Sequence, residues 1–203
     1  MNIIIFGPPG AGKGTQSKFI AQNFNLFQLS TGEFLRKEIT NNTEIGKKIA
    51  SIINSGSLVS DDIVSNLIEK IVSNKKYHNQ IIFDGYPRSI NQAKNLESLL
   101  KKYEQKIDIV LKLSVGLETI KKRILERRNL EKRSDDSEEI AIKRYKTYEK
   151  STEPVLAFYK KLNLLKEVNG ERPISEINNE IKEILRLISA WLYVITPYKY
   201  DFK

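Results

Sequence analysis

The chain is 203 residues long, carries a formal charge of +9 and is 29% charged, which is enough sequence to bury one proper core with small insertions. It contains no cysteine, so disulfides, thiol chemistry and zinc sets of the CxxC kind are excluded, and a reducing compartment fits. No apolar stretch reaches the roughly 18 residues a membrane span needs, and a core strand starts directly behind Met1 with no targeting segment ahead of it, so a cytoplasmic protein is expected.

Short, nearly all-apolar runs recur at Asn2 to Phe6, Phe27 to Ser30, Gln80 to Asp84, Ile107 to Leu113 and Leu164 to Val168. Helical patterns fall between them, at Lys13 to Asn23, Thr31 to Thr40, Thr43 to Asn54, Asp61 to Ser73, Ser89 to Tyr103, Gly116 to Arg127, Ser137 to Ser151, Glu153 to Leu162 and Ile174 to Ala190. This alternation predicts a three-layer α/β fold with a five-stranded parallel sheet whose strands are buried on both faces. Ser60 or Asp61 is expected to cap the fourth helix, and Thr152 followed by Pro154 to start the eighth.

The first run leads straight into GPPGAGKGT, Gly7 to Thr15. A strand, a glycine loop and a helix in this order form a phosphate cradle. Gly10, Gly12 and Gly14 can take positive φ, the loop N–H groups donate inward, and the helix opens its positive dipole end on the same spot. Lys13 adds a point charge where the outer phosphates of a nucleotide would lie, while Gly14 stands where other such loops carry a magnesium-binding hydroxyl, with Thr15 one place later.

About fifty residues between the second and third runs are helical throughout, more than one crossover helix needs, and so read as a small helical insertion. Next comes Ile81, Ile82, Phe83, Asp84, a carboxylate at the C-terminal end of a buried strand, where open parallel sheets bind ligands. Asp84 would hold Mg²⁺ directly or through water, or else cap the helix that follows. The polar stretch Arg128 to Asp136 reads as a loop between two helices, either solvated or a flap over a ligand. Arg123 and Arg127 share one helix face, and Arg133 and Arg144 flank that loop from its other side. The lysines sit among glutamates on helical faces, and no recognised nucleic-acid motif accompanies the positive charge, which argues against nucleic-acid binding. His78, the only histidine, lies in a polar stretch and reads as a bystander.

Five segments together, GPPGAGKGTQ from Gly7, STGEFLR from Ser30, GSLVSD from Gly56, DGYPRSINQA from Asp84 and the spaced arginines, resemble the adenylate kinases in content and order. The resemblance implies reversible transfer of a phosphoryl group from MgATP to AMP, giving two ADP, by direct in-line attack. A UMP/CMP kinase of the same fold is the alternative, and a nucleotide-dependent nucleic-acid-binding protein a more distant one. It further implies a P-loop core (1–29, 60–126, 137–188), an NMP-binding insertion (30–59) and a short lid (127–136), working as a monomer.

By the same resemblance Lys13, Asp84, Arg88, Arg127, Arg133 and Arg144 would be catalytic. ATP would be held by Gly10, Ala11, Gly12, Lys13, Gly14, Thr15, Arg123, Arg127 and Arg172, with Arg123 stacked on the adenine. AMP would be held by Thr31, Arg36, Ser57, Leu58, Val59, Gly85, Tyr86, Pro87, Arg88, Gln92, Arg133 and Arg144. Gln92, whose amide offers a donor and an acceptor together, suits adenine, and Thr31 with Gln92 favours AMP over the pyrimidine monophosphates. No direct protein ligand to the metal is implied, the Mg²⁺ being held by ATP and water with Asp84 behind them, and no structural zinc. Arg128 fits no position in this set, and Asp135 and Asp136 resemble the family's lid carboxylates. The segment 189–203, with Trp191, Tyr193, Tyr198, Tyr200 and Phe202, extends beyond the family pattern. Packing of its aromatics on the core is the simplest expectation for it.

Overall fold

The computed structural model describes residues 1–131 and 136–195, with side chains described up to Ala190. Arg133 and Asp135 fall outside the described residues, as do Tyr198, Tyr200 and Phe202.

The five strands are β1 (Ile3–Phe6), β2 (Phe27–Ser30), β3 (Ile81–Asp84), β4 (Ile109–Ser114) and β5 (Leu165–Asn169). They pair in parallel in the order β2-β3-β1-β4-β5. Among the described residues the α-helices are α1 (Lys13–Phe24), α2 (Thr31–Thr40), α3 (Glu44–Asn54), α4 (Asp61–Val72), α5 (Ile90–Lys102), α6 (Leu117–Glu131), α7 (Glu138–Lys161) and α8 (Ile174–Ile195). The expected α/β sandwich is therefore what the chain forms.

Side-chain alternation along the central strand builds the two layers of core. Ile4 and Phe6 face a cluster with Phe83, Val110, Ile68, Leu96 and Tyr159, whereas Ile3 and Ile5 face Ile82, Leu111, Ile20, Ile120 and Ile181. Both faces are dry, which is why these strands read as continuous apolar runs.

Helix starts follow the local chemistry. Ser30, Thr43, Ser89 and Ser137 each accept a hydrogen bond from a backbone N–H in the first turn of α2, α3, α5 and α7. Ser60 occupies the cap position of α4 but makes no such bond with its side chain.

Three expectations are corrected. The two helices expected between Ser137 and Leu162 are one, α7 (Glu138–Lys161), which runs through Pro154. Thr152 is therefore not a helix start; it is buried within α7. Fully buried Val155 and Tyr159 hold the turn after the proline against the core, and this outweighs the hydrogen bond that proline removes. The loop expected from Arg128 starts later, because α6 continues through Arg128 to Glu131 on exposed residues, Leu130 among them. α8 passes the expected stop at Ala190 and reaches Ile195. Among the described residues no helix is long and apolar enough to cross a membrane.

Candidate active site

The glycine loop joins β1 to α1 at the C-terminal edge of the sheet. Gly10 and Gly12 have φ of +84° and +93°, and the Ala11 N–H closes a turn onto the Pro8 carbonyl at 3.1 Å. Gly14 has no positive φ: it is the second residue of α1, against expectation. Lys13 folds back over the loop, its Nζ donating to the Gly7 and Pro8 carbonyls at 2.7 and 3.0 Å.

Asp84 ends β3 beside this loop, in register with Ile5 on one side and Ser30 on the other. It is 7% exposed, and its Oδ2 accepts from Gln28 Nε2 at 3.3 Å. Because Ser89 caps α5, Asp84 is not spent on that task. Thr31 Oγ1 and Arg88 Nε both donate to the Gly85 carbonyl, at 3.0 and 2.7 Å, and fix the turn that follows. The Tyr86–Pro87 peptide bond is cis.

Lys13, Arg88 and Arg144 line one cavity, and Arg127 is near enough to act on the Lys13 charge. Burial first, and then the charges of Arg88, Arg144 and Arg127, push the Lys13 ammonium down to about 8, against the opposing pull of Asp84. The Arg88 guanidinium is likewise pushed down to about 10, by burial and then by Arg144 and Arg36, with Asp84 pulling the other way. Cations crowded together at such a cost mark a place built to receive negative charge. Arg127 is held in turn by Asp136, which is 1% exposed and also lies 3.7 Å from Arg144 Nη1.

Arg123 and Arg172 belong to a different spot. Arg123 Nη2 donates to the Gly170 carbonyl at 2.9 Å, and Arg172 Nε donates to the Asn169 carbonyl at 3.4 Å while its Nη2 pairs with Glu180. The pair therefore meets at the loop after β5. Thr15 is exposed, as is Arg128.

A cavity opens between the sheet edge, the α2–α3 hairpin and α7. Thr31, Arg36, Ser57, Val59, Gln92 and Arg144 are among its lining residues, together with Leu58, Gly85, Pro87, Arg88 and Lys13. Tyr86 is the exception in the expected set: its ring is buried in the core and its hydroxyl donates to the Gln92 carbonyl at 3.3 Å. Gln92 is 4% exposed, and both ends of its amide are engaged. The turn at Ser55 to Ser57 touches α7 through Lys143 Nζ, 2.8 Å from the Ser55 carbonyl.

Sequence reasoning did not single out the roles of Gly46 and Asp61. Gly46 sits where α2 and α3 approach so closely that a Cβ would lie 2.0 Å from the Glu38 carbonyl oxygen. Asp61 contacts the Gln92 amide. Neither relationship has a local signal.

Among the described residues no three His, Cys, Asp or Glu side chains gather as metal ligands. A lone hard carboxylate, Asp84, beside the phosphate loop fits Mg²⁺, which dehydrates reluctantly and would take most of its ligands from phosphate oxygens and water.

The family model described as adenylate kinase matches residues 5–164. An adenylate kinase of Pelagibacter ubique is 44% identical, over 92% of this chain and 100% of its own length. One from Bartonella henselae is 40% identical, over 92% and 100%, and one from Petrotoga mobilis 36%, over 92% and 98%. With a phosphate loop, a carboxylate at the neighbouring strand end and a cluster of four cations already assembled at one sheet edge, these matches make the chain a member of the adenylate kinase family.

Proposed function

We propose that the chain moves a phosphoryl group reversibly between MgATP and AMP, giving two ADP, by direct in-line transfer with no covalent enzyme intermediate. The observation that carries this is the grouping of Lys13, Arg88 and Arg144 on the lining of the α2–α3 cavity, with Arg127 tied to Arg144 through Asp136. A phosphoryl group in flight needs its charge neutralised and its two partners aligned, and guanidinium groups grip phosphate through paired hydrogen bonds without losing their charge.

No general base is required. A nucleoside monophosphate has a second pKa of about 6 and so already offers an anionic oxygen at neutral pH. In keeping with this, His78 lies exposed just before β3 begins, at the opposite end of that strand from Asp84.

In this reading Gly10 to Thr15 cradle the ATP phosphates, and Arg123 and Arg172 hold its base at the loop after β5. Thr31, Arg36, the 57–59 backbone and Gln92 hold AMP. Asp84 would hold the water of a Mg²⁺ ion bound with ATP, and that ion would help neutralise the phosphate charge. Segment 30–59 acts as the AMP-binding insertion and 127–136 as a short lid. Support for the short lid comes from α6 ending at Glu131 and α7 starting at Glu138, which leaves no room for a larger lid domain. Since one chain supplies all these groups, the monomer is the working unit.

A coupled assay on purified protein tests the reading with AMP, UMP and CMP as acceptors. Rapid ADP formation from ATP and AMP is expected. Efficient use of UMP or CMP with no turnover of AMP would overturn it.

A further inference from the structure

Gln92 is held from two directions. Its Oε1 accepts from the Arg88 backbone N–H at 2.6 Å, and its Nε2 donates to Asp61 Oδ1, also at 2.6 Å. A backbone N–H can only donate and a carboxylate can only accept. The two partners therefore permit one orientation of the amide and forbid its flip. Each end of the amide keeps capacity for one more bond, a lone pair on Oε1 and a hydrogen on Nε2, and Gln92 lines the cavity whereas Asp61 does not.

We propose that Asp61 is a specificity-determining positioning residue: it locks the Gln92 amide in the orientation that reads a 6-aminopurine monophosphate and rejects a 6-oxopurine one. This rests on the reading of the α2–α3 cavity as the acceptor-nucleotide site. A 6-aminopurine presents an exocyclic donor beside a ring-nitrogen acceptor, and this pattern matches the free lone pair and hydrogen of the locked amide. A 6-oxopurine presents the reverse, an exocyclic acceptor beside a ring N–H, and only the flipped amide would match it. Flipping would set Nε2 against the Arg88 N–H and Oε1 against the Asp61 carboxylate, leaving two opposed pairs around a buried Gln92, although Asp61 itself is exposed. With Asp61 gone, one of these two penalties vanishes.

The residue also lies in the first turn of α4, where a carboxylate favours the helix dipole. The test separates that role from the positioning one. Kinetics with AMP and IMP as acceptors are compared for the unmodified protein, Asp61→Ala, Asp61→Asn and Gln92→Ala, alongside thermal melts. Asp61→Asn keeps the shape and can still bond Gln92, but its amide can turn to donate instead of accept, so it no longer forbids the flipped Gln92. Asp61→Ser, which suits a helix start but is too short to reach the amide, replaces the alanine variant if that one does not fold.

The expected result is that Asp61→Ala raises KM for AMP and lowers the AMP-to-IMP ratio of kcat/KM by about tenfold, with a smaller change in kcat. Asp61→Asn should lower the ratio much as Asp61→Ala does, because its amide can pair with Gln92 in either orientation. Should Gln92→Ala lower the ratio while Asp61→Ala does not, the positioning role is overturned and the adenine site stands. If Asp61→Asn keeps the full ratio, an acceptor-only partner is not what sets the amide and the proposal is again overturned. A ratio untouched by Gln92→Ala would remove the adenine-site reading itself, and the role of Asp61 with it.

Discussion

The Arg127 guanidinium meets the Asp136 carboxylate in two parallel hydrogen bonds, 2.7 Å from Nε to Oδ2 and 2.6 Å from Nη2 to Oδ1. Arg144 approaches the same Oδ1 from α7. One buried anion thus sets the spacing of two cations that belong to different helices, and this spacing suits a phosphoryl group better than two freely moving side chains would.

Asp136→Asn keeps the shape and removes that anion. Fixed cations count most in the transition state, so kcat should fall by about 10- to 100-fold with a smaller effect on KM. The loss of stability should be about 1–3 kcal/mol, because both arginines retain some solvent and are not fully stranded. Steady-state kinetics and a denaturant melt check both values, and a variant with unchanged kcat would show that Asp136 is not organising the arginines.

Lys13 predicts a pH dependence. Its pKa is lowered from 10.5 to about 8, so the folded protein without nucleotide loses this positive charge as pH rises through about 8. Phosphate binding favours the charged form. Hence kcat/KM for ATP should decline above about pH 8 while kcat at saturation holds to higher pH. The stability sign is opposite: the unfolded chain binds the proton more tightly, so this group adds stability as pH rises from about 8 to 10.5. A kcat/KM profile flat to about pH 9.5 would rule out the assignment.

Gly46→Ala should force α2 and α3 apart, since the new Cβ has no place beside the Glu38 carbonyl. A cost of about 1–3 kcal/mol is expected from such overpacking. The same shift moves the wall that carries Thr31 and Arg36, so KM for AMP should rise while KM for ATP stays near its original value. Equal changes in the two constants would contradict the assignment of this hairpin to the acceptor.

Asn2 offers a stability prediction with no change in catalysis. It is fully buried at the far end of the sheet, where its Oδ1 accepts from the Ile81 N–H at 3.1 Å and its Nδ2 donates to Gln105 Oε1 and the Lys106 carbonyl at 3.2 and 3.0 Å. Asn2→Ala strands these groups and should cost about 1–3 kcal/mol. Thermal melts should register the loss, and kinetics at a temperature well below the melt should not.

The strands were legible because burial on both faces leaves a continuous apolar signature, and the phosphate loop because its glycines and lysine are local. Pro154 was read as a boundary since proline punctuates a sequence, but the decision lay with Val155 and Tyr159, whose partners are remote in the chain. Helix α6 beyond Arg127 has no buried face to announce it. The functions of Gly46, Asp61 and Asp136 are properties of pairs: each depends on a residue that only the fold brings near, and no spacing rule reaches them.

Gly14 gives the packed protein nothing. It lies in regular helix, and an added Cβ there would meet nothing within 4 Å, while glycine in a helix costs about 1 kcal/mol relative to alanine. Judged by stability alone, a redesign would replace it first, and its melting point would report success. On the proposed function this position lies against the ATP phosphates, so the effect of the replacement belongs to nucleotide kinetics, and a folding experiment without nucleotide is blind to it.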